Sequence, residues 1–228
     1  MPGIAVIIPT LNEAEAIGAV IAEVPRSLVT EIIVADSGST DGTQALASAA
    51  GARVLELNQR GYGRACLAAA AACPDCEILV FMDGDGADRA DLLHRLTDPI
   101  QSGNYDFVIA ARARALREPG SMSLHQVIAG HVLGFSIGLL TGIRYTDMCA
   151  FRAIRRDGFE TLNMREMTYG WNIEMQMKAA RAGLRVLEIP LPYRRRAGGT
   201  SKVAGSLRGT LQASSRIIAT FLRVAAAR

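Results

Sequence analysis

The sequence predicts an α/β protein: a mostly parallel sheet covered by helices, with a helical elaboration at its C-terminal end. Three observations carry this. Five short, continuously apolar segments recur through residues 1–112, the pattern of strands buried on both faces. Helical periodicity fills the gaps between them. Each apolar segment runs into a polar cluster, and open parallel sheets collect their ligands beyond the carboxyl ends of the strands.

In order, IAVII (4–8) reads as the first strand. A helix with Ile17, Val20, Ile21 and Val24 on one face follows it, stopped by Pro25. EIIVA (31–35) is the second strand, SGSTDG a polar turn, and a short helix runs to Gly51. RVLEL (53–57) is the third strand and the alanine-rich 64–72 a helix ended by Pro74. EILVFM (77–82) is the fourth strand, 90–102 a helix and DFVIAA (106–111) the fifth strand. After the strands come PTLNE, DSGSTDG, NQRGYG, DGDGAD and Arg112, so five polar clusters share one rim. Past residue 113 the alternation stops. A loop (113–123), a glycine-rich apolar helix to about 142, a strand near 148–152, helices near 154–163 and 171–182, a strand at 185–189 and a last helix over 205–227 are expected. With no repeat and no low-complexity linker, residues 1–228 read as one domain: an alternating half over 1–112, a second half over 113–204 and an amphipathic helix over 205–228.

Half of the 228 residues are hydrophobic, enough for a sizeable core, and the net charge of +3 gives no reason to expect nucleic acid. Four cysteines do not make a secreted disulfide framework, and MPGIAVIIPT lacks a basic signal start, so a cytoplasmic protein is expected. The apolar stretch 127–143 is at the lower limit for a membrane span. GFSIG lacks the later histidine that a hydrolase triad needs. CPDC lies after a helix rather than at a helix N-terminus, which suits two structural cysteines. There is no dinucleotide or P-loop glycine motif, and DGDGAD fails as an EF-hand, with Ala87, Asp88 and His94 at its fifth, sixth and twelfth positions.

DGDGAD itself demands a cation. Asp83 and Asp85 alternate at a strand end, so both carboxylates leave on one face. Their repulsion calls for Mg2+ or Mn2+, held by hard oxygen ligands, with Asp88 as a possible third ligand. Gly84 and Gly86 would let a bulky ligand approach the backbone.

Taken together, VIIPTLNE (6–13), EIIVADSGSTDGT (31–43), GYG, FMDGDGAD, YTDMCAFRAIRR (145–156), YGWNIEMQMKAARAGLRVLEIP (169–190) and YRRRAGGTSK (193–202) resemble the family 2 glycosyltransferases. The likeness is greatest to their dolichol-phosphate mannosyltransferase and polyprenyl-phosphate glycosyltransferase branch. The resemblance implies a GT-A-type, Rossmann-like fold and inverting sugar transfer from a nucleotide-sugar. It implies that Pro9, Leu11 and Glu13 border the nucleotide with Gly84, that Asp36 meets the base, that Asp83 meets ribose and metal, and that Asp85 ligates the metal. Arg112, Arg196 and Lys202 match basic positions around the diphosphate and an acceptor phosphate. Two departures stand out: Ala87 replaces the usual glutamine, and Ser37 the second of two aspartates.

The crowd Arg194–Arg196 with Lys202 favours a lipid-phosphate acceptor, which attacks without a general base. A hydroxyl acceptor would need one, with Asp147 or Glu174 as candidates. A non-catalytic nucleotide-sugar-binding subunit is the alternative class. Trp171 and Glu174 are expected either at the acceptor pocket or as structural helix residues. The arginine-bearing last helix suggests peripheral contact with the inner face of a membrane.

Overall fold

The computed structural model describes residues 3–198 and 207–227, without the side chains of Leu207 and Arg208. Lys202 therefore lies outside the described residues. Seven strands form one sheet: β1 (Ile4–Thr10), β2 (Glu31–Asp36), β3 (Arg53–Glu56), β4 (Ile78–Phe81), β5 (Phe107–Ala111), β6 (Arg152–Arg155) and β7 (Val186–Pro190). Their order is β3-β2-β1-β4-β6-β5-β7. All run parallel except β6, which lies between β4 and β5 and is antiparallel to both. The mostly parallel covered sheet expected from the sequence is present.

Helices α1 (Ile17–Glu23), α2 (Thr43–Ala49), α3 (Tyr62–Ala72) and α4 (His94–Gln101) connect the first five strands. The expected helix over 90–102 divides into a 3-10 turn, Ala90–Leu92, and α4. Then come α5 (Leu124–Thr141), α6 (Arg156–Thr161), α7 (Trp171–Arg181) and α8 (Leu207–Ala226). The strand expected near 148–152 is displaced. Cys149, Ala150 and Phe151 are buried as their apolarity demands, but the ladder forms at Arg152–Arg155. Arg152 is fully buried there, its guanidinium donating to the carbonyls of Cys149 and Asn172. A strand that opens on a buried arginine breaks the apolar-run rule, and the following helix is correspondingly short.

Trp171 is a core anchor rather than a pocket residue. Its ring packs against Phe81 and Phe159 at centroid distances of 6.1 Å each, and those two rings are 5.8 Å apart. Such pairs add about 0.5–1.5 kcal/mol each beyond burial. Glu174 is likewise fully buried: it accepts from the amides of Arg165 (3.0 Å) and Glu166 (2.6 Å) and pairs with Lys178 and Arg223. Arg223 and Thr220 come from α8, so this carboxylate and Glu166 dock α8 onto α7.

α5 is glycine-rich because it lies against residues 144–147. A Cβ at Gly134 would come within 2.0 Å of the Tyr145 carbonyl oxygen, so only glycine allows this approach. Most of α5 is nevertheless unburied, and it is long and apolar enough to cross a membrane. The four cysteines are all free and buried, in keeping with structural roles.

Candidate active site at the strand ends

Because β6 runs against its neighbours, its entry segment (146–151) opens on the same rim as the carboxyl ends of β1, β2, β4 and β5. The chain leaving β7 returns there too, and its residues 193–197 form a strap over DGDGAD. The Arg194 amide donates to the Ala87 carbonyl and the Ala197 amide to that of Asp85, both at 2.9 Å. Gly86, at φ +79°, turns the loop, and its open side faces the Ala197 methyl at 3.1 Å. The space left by the missing Cβ of Gly84 faces the methyls of Thr10 (3.1 Å) and Ile8 (3.2 Å). These two glycines thus seat the loop between β1 and the strap, which corrects the expectation that they open it to a ligand.

On the β1–β2 side, the loops after the two strands are stitched together. Asn12 accepts from the Thr40 amide at 2.9 Å while its own amide donates to Ser39 Oγ at 2.8 Å. The Glu13 amide donates to Thr43 Oγ1 and the Ala14 amide to Asp41. Pro9 is the penultimate residue of β1 and Leu11 is half-buried just beyond the strand. Asp36 is fully buried and takes five donors: the Gly38 and Ser39 amides, Gln44, Thr10 and the Ser39 hydroxyl. Burial by itself would raise its carboxyl, but these hydrogen bonds outweigh it and hold it below the ordinary aspartate range. A carboxylate offers about four lone-pair sites, so a base contact at Asp36 would have to displace one of these donors. Thr10, Ser39 and Gln44 were not singled out from the sequence; only proximity in the fold reveals them.

The carboxylates of DGDGAD do not converge as a cage. Among the described residues no three His, Cys, Asp or Glu side chains are gathered to hold a metal ion. Asp88, expected as a possible third ligand, points back under the loop, where it accepts from the Asp83 amide (3.2 Å) and the Cys149 thiol (3.7 Å). It braces the loop instead, because a short turn leaves its own amide donors closest to hand. Asp83 and Asp88 both have raised carboxyl pKa values, from burial first and then from the neighbouring aspartate charges. The buried Tyr62 hydroxyl lies beside Asp83, and after burial the charge of Asp83 is what most raises its pKa. Asp85 accepts from the Ala87 amide at 2.9 Å, and its other oxygen meets Arg196 at 2.6 Å. The same guanidinium reaches Glu13 at 3.0 Å.

This donor set fits a hard divalent ion. Mg2+ and Mn2+ usually take one or two carboxylates and complete their shell with substrate phosphates and water. Asp83 and Asp85 supply those carboxylates, and a positive charge, that of Arg196, already sits on Asp85.

Arg112 and Asp147 form a closed pair. Asp147 accepts from the Arg112 amide (2.9 Å), Nε (2.7 Å) and Nη2 (2.7 Å), and from the Met148 amide (2.7 Å). Its carboxyl is held below the ordinary range: burial opposes this, and the Arg112 contacts prevail. The Arg112 guanidinium also lies over the Tyr193 ring, 5.1 Å from its centroid. Asp147 is therefore committed to positioning Arg112, which corrects its reading as a base. Glu174, docked away under α8, is no base either. The arginine run does not act as one cluster: Arg194 reaches Glu23 and the Asp88 carbonyl, Arg195 the Pro119 carbonyl, Arg196 the Asp85 carboxylate.

The sequence profile described as Glycosyl transferase family 2 matches residues 5–162. The chain belongs to this family. It is 34% identical to a dolichyl-phosphate hexose transferase of Haloferax volcanii over 86% of this chain and 85% of that protein. It is 30% identical to glycosyltransferase AglJ of the same organism over 86% of this chain, spanning only 65% of AglJ's length. Among solved structures, glucosyl-3-phosphoglycerate synthase from Mycobacterium tuberculosis, in complex with Mn2+, uridine diphosphate and phosphoglyceric acid, superposes with a TM-score of 0.79. The match covers all of this chain and 80% of that one at 26% identity. The GT-A architecture and the glycosyltransferase class expected from the sequence are thereby established.

Proposed function

We propose that this family 2 glycosyltransferase moves a sugar, with inversion, from a nucleotide-sugar to a polyprenyl phosphate at a membrane surface. The observation that carries the acceptor is the commitment of Asp147 and Glu174. Both carboxylates that could have served a hydroxyl acceptor as bases are held by arginine, lysine or backbone donors. A phosphate monoester is already anionic at neutral pH and attacks without deprotonation. The dolichyl-phosphate relative supports the same acceptor.

In this reading the stitched loops after β1 and β2 hold the nucleoside, with Pro9, Leu11 and Glu13 along its edge and Asp36 fixing the loop's shape. Asp83 and Asp85 would hold Mg2+ or Mn2+, which neutralises charge on the departing diphosphate. Arg112, locked by Asp147 and Tyr193, presents a preorganised cation to phosphate oxygens. Arg196 turns from Asp85 toward the incoming anion, and Lys202 adds a point charge.

The test is to incubate the protein with nucleotide-sugars, Mn2+ and a short polyprenyl phosphate, following nucleoside diphosphate release and sugar on the lipid. Both products together support the reading. Transfer to phosphoglyceric acid but not to the lipid phosphate would move the acceptor to the hydroxyl class. Binding without turnover of any donor would leave a nucleotide-sugar-binding subunit.

A further inference from the structure

We propose that α5 is the element that lies in the membrane surface, half-immersed and parallel to it, on an anionic bilayer. The inference deepens the lipid-acceptor reading by naming the surface that would bring the site to its acceptor. Its starting point is one face of α5. Leu124, Ile128, Val132, Phe135 and Leu139 are all exposed, between 49% and 75%. At about 100° per residue they fall within a stripe roughly 80° wide along the whole helix, about 27 Å long. A water-facing surface gives no reason for five large apolar side chains in register.

α5 is not a lone span. Its glycine side is occupied by the protein: Gly130, Gly134 and Gly138 face residues 144–147, and Ile137 is fully buried. One flank is bound to the domain and another bare, which is the arrangement of an interfacial helix.

Charge decides between a bilayer and a second copy of the chain. From Pro119 to Thr146 there is no acidic residue, and after Glu188 there is none to the end. Arginines border the stripe instead: the Arg144 guanidinium lies 5.4 Å from the Phe135 ring centroid, at the edge of the apolar face. Arg114 is exposed in the loop leading to α5. The outward side of α8 carries exposed Leu211, Ile218 and Leu222, and Arg216 is exposed on the same helix. Two copies meeting through such faces would oppose arginine to arginine, whereas anionic headgroups complement them. The position is also right for the chemistry. The open side of Gly130, on the flank of α5 turned to the protein, faces the Asp147 carboxylate at 3.7 Å, so the helix that carries the apolar stripe packs with its other side against the Arg112–Asp147 pair.

The experiment is co-sedimentation of the full chain with phosphatidylcholine vesicles, with and without phosphatidylglycerol, alongside calorimetric titration of Mn2+ plus uridine diphosphate. Wild type is expected to pellet with the anionic vesicles. The triple variant Ile128→Ser/Val132→Ser/Leu139→Ser should lose about tenfold or more of that binding with nucleotide binding unchanged. A second readout places an environment-sensitive fluorophore at Phe135→Cys, the four native cysteines being buried; its emission should shift to the blue on anionic vesicles. Equal pelleting of variant and wild type, no pelleting of wild type, an unshifted emission, or a solution dimer that the triple variant splits would each overturn the inference. Failure of nucleotide binding with vesicle binding intact would instead overturn the donor reading.

Discussion

Arg196 occupies, as a monovalent cation, the place beside Asp85 and Glu13 where the donor's metal would come. The two cannot both hold the same Asp85 oxygen. Removing the side chain should therefore strengthen binding of Mn2+ alone by about tenfold, the equivalent of one charge-assisted contact, while turnover falls. Electron paramagnetic resonance titration of free Mn2+ against Arg196→Ala reads this directly; unchanged affinity would show that the guanidinium does not compete. Asp147 makes a second residue-scale prediction. Because Arg112 keeps its carboxyl ionised well below neutrality, Asp147→Asn should lower the plateau of the pH–rate profile without removing its acidic limb. Loss of that limb would restore Asp147 as a base. At this scale the sequence shows which residues have chemistry but not which partner consumes it. Asp83 and Asp85 could be placed at the rim because the apolar run of β4 ends at Phe81, just before them. Asp88 and Asp147 were misread because the donors that hold them, the Asp83 amide and Arg112, are chosen by the fold rather than by spacing.

Helices report on packing through their least conspicuous residues. On α5, Gly134→Ala would drive a methyl into the Tyr145 carbonyl and should cost about 1–3 kcal/mol. At Gly138 the nearest atoms of Arg144 stand 3.4 Å away, so alanine's helix propensity should leave Gly138→Ala neutral or up to about 1 kcal/mol more stable. Urea melts of the two variants make the comparison. Glu174 belongs to the junction of α7 and α8. Glu174→Gln should cost about 2–4 kcal/mol at neutral pH. Burial alone would raise this carboxyl, but the Glu166 and Arg165 amides and Lys178 bring it below its unfolded value of 4.5. A depressed folded value contributes stability above the unfolded one and loses it as pH falls through the folded one. The gap between wild type and variant should therefore close on acidification below about pH 4.5. Most elements were legible to within a few residues, because continuous apolar strands and 3.6-residue periodicity are local signals. β6 was not, because the arginine that opens it is buried only where the Cys149 carbonyl and, two elements on, that of Asn172 accept its guanidinium.

For the whole molecule, a ligand that binds only the folded rim must stabilise the entire chain. On the proposed function, the nucleoside diphosphate of the donor, with a divalent ion, at a hundredfold excess over Kd should add about 2.7 kcal/mol, a rise in Tm of roughly 5–10 °C for a chain of this size. A chelator should reverse it, and scanning calorimetry provides the check. The parallel architecture and its single rim could be read from the alternation of the first 112 residues. The strand order could not, since nothing local announces that a strand from the second half inserts between β4 and β5.

That insertion bears on how the chain comes off the ribosome. Roughly seventy residues separate Phe81, the last of β4, from Arg152, the first of its neighbour. At about 5–20 residues per second, β4 waits several seconds with one edge bare while β5 is made and also left without its partner. A fragment ending at residue 112 would keep that edge permanently, and bare strand edges recruit other chains. Residues 1–112 are thus not a separable unit, and expressed alone they should aggregate.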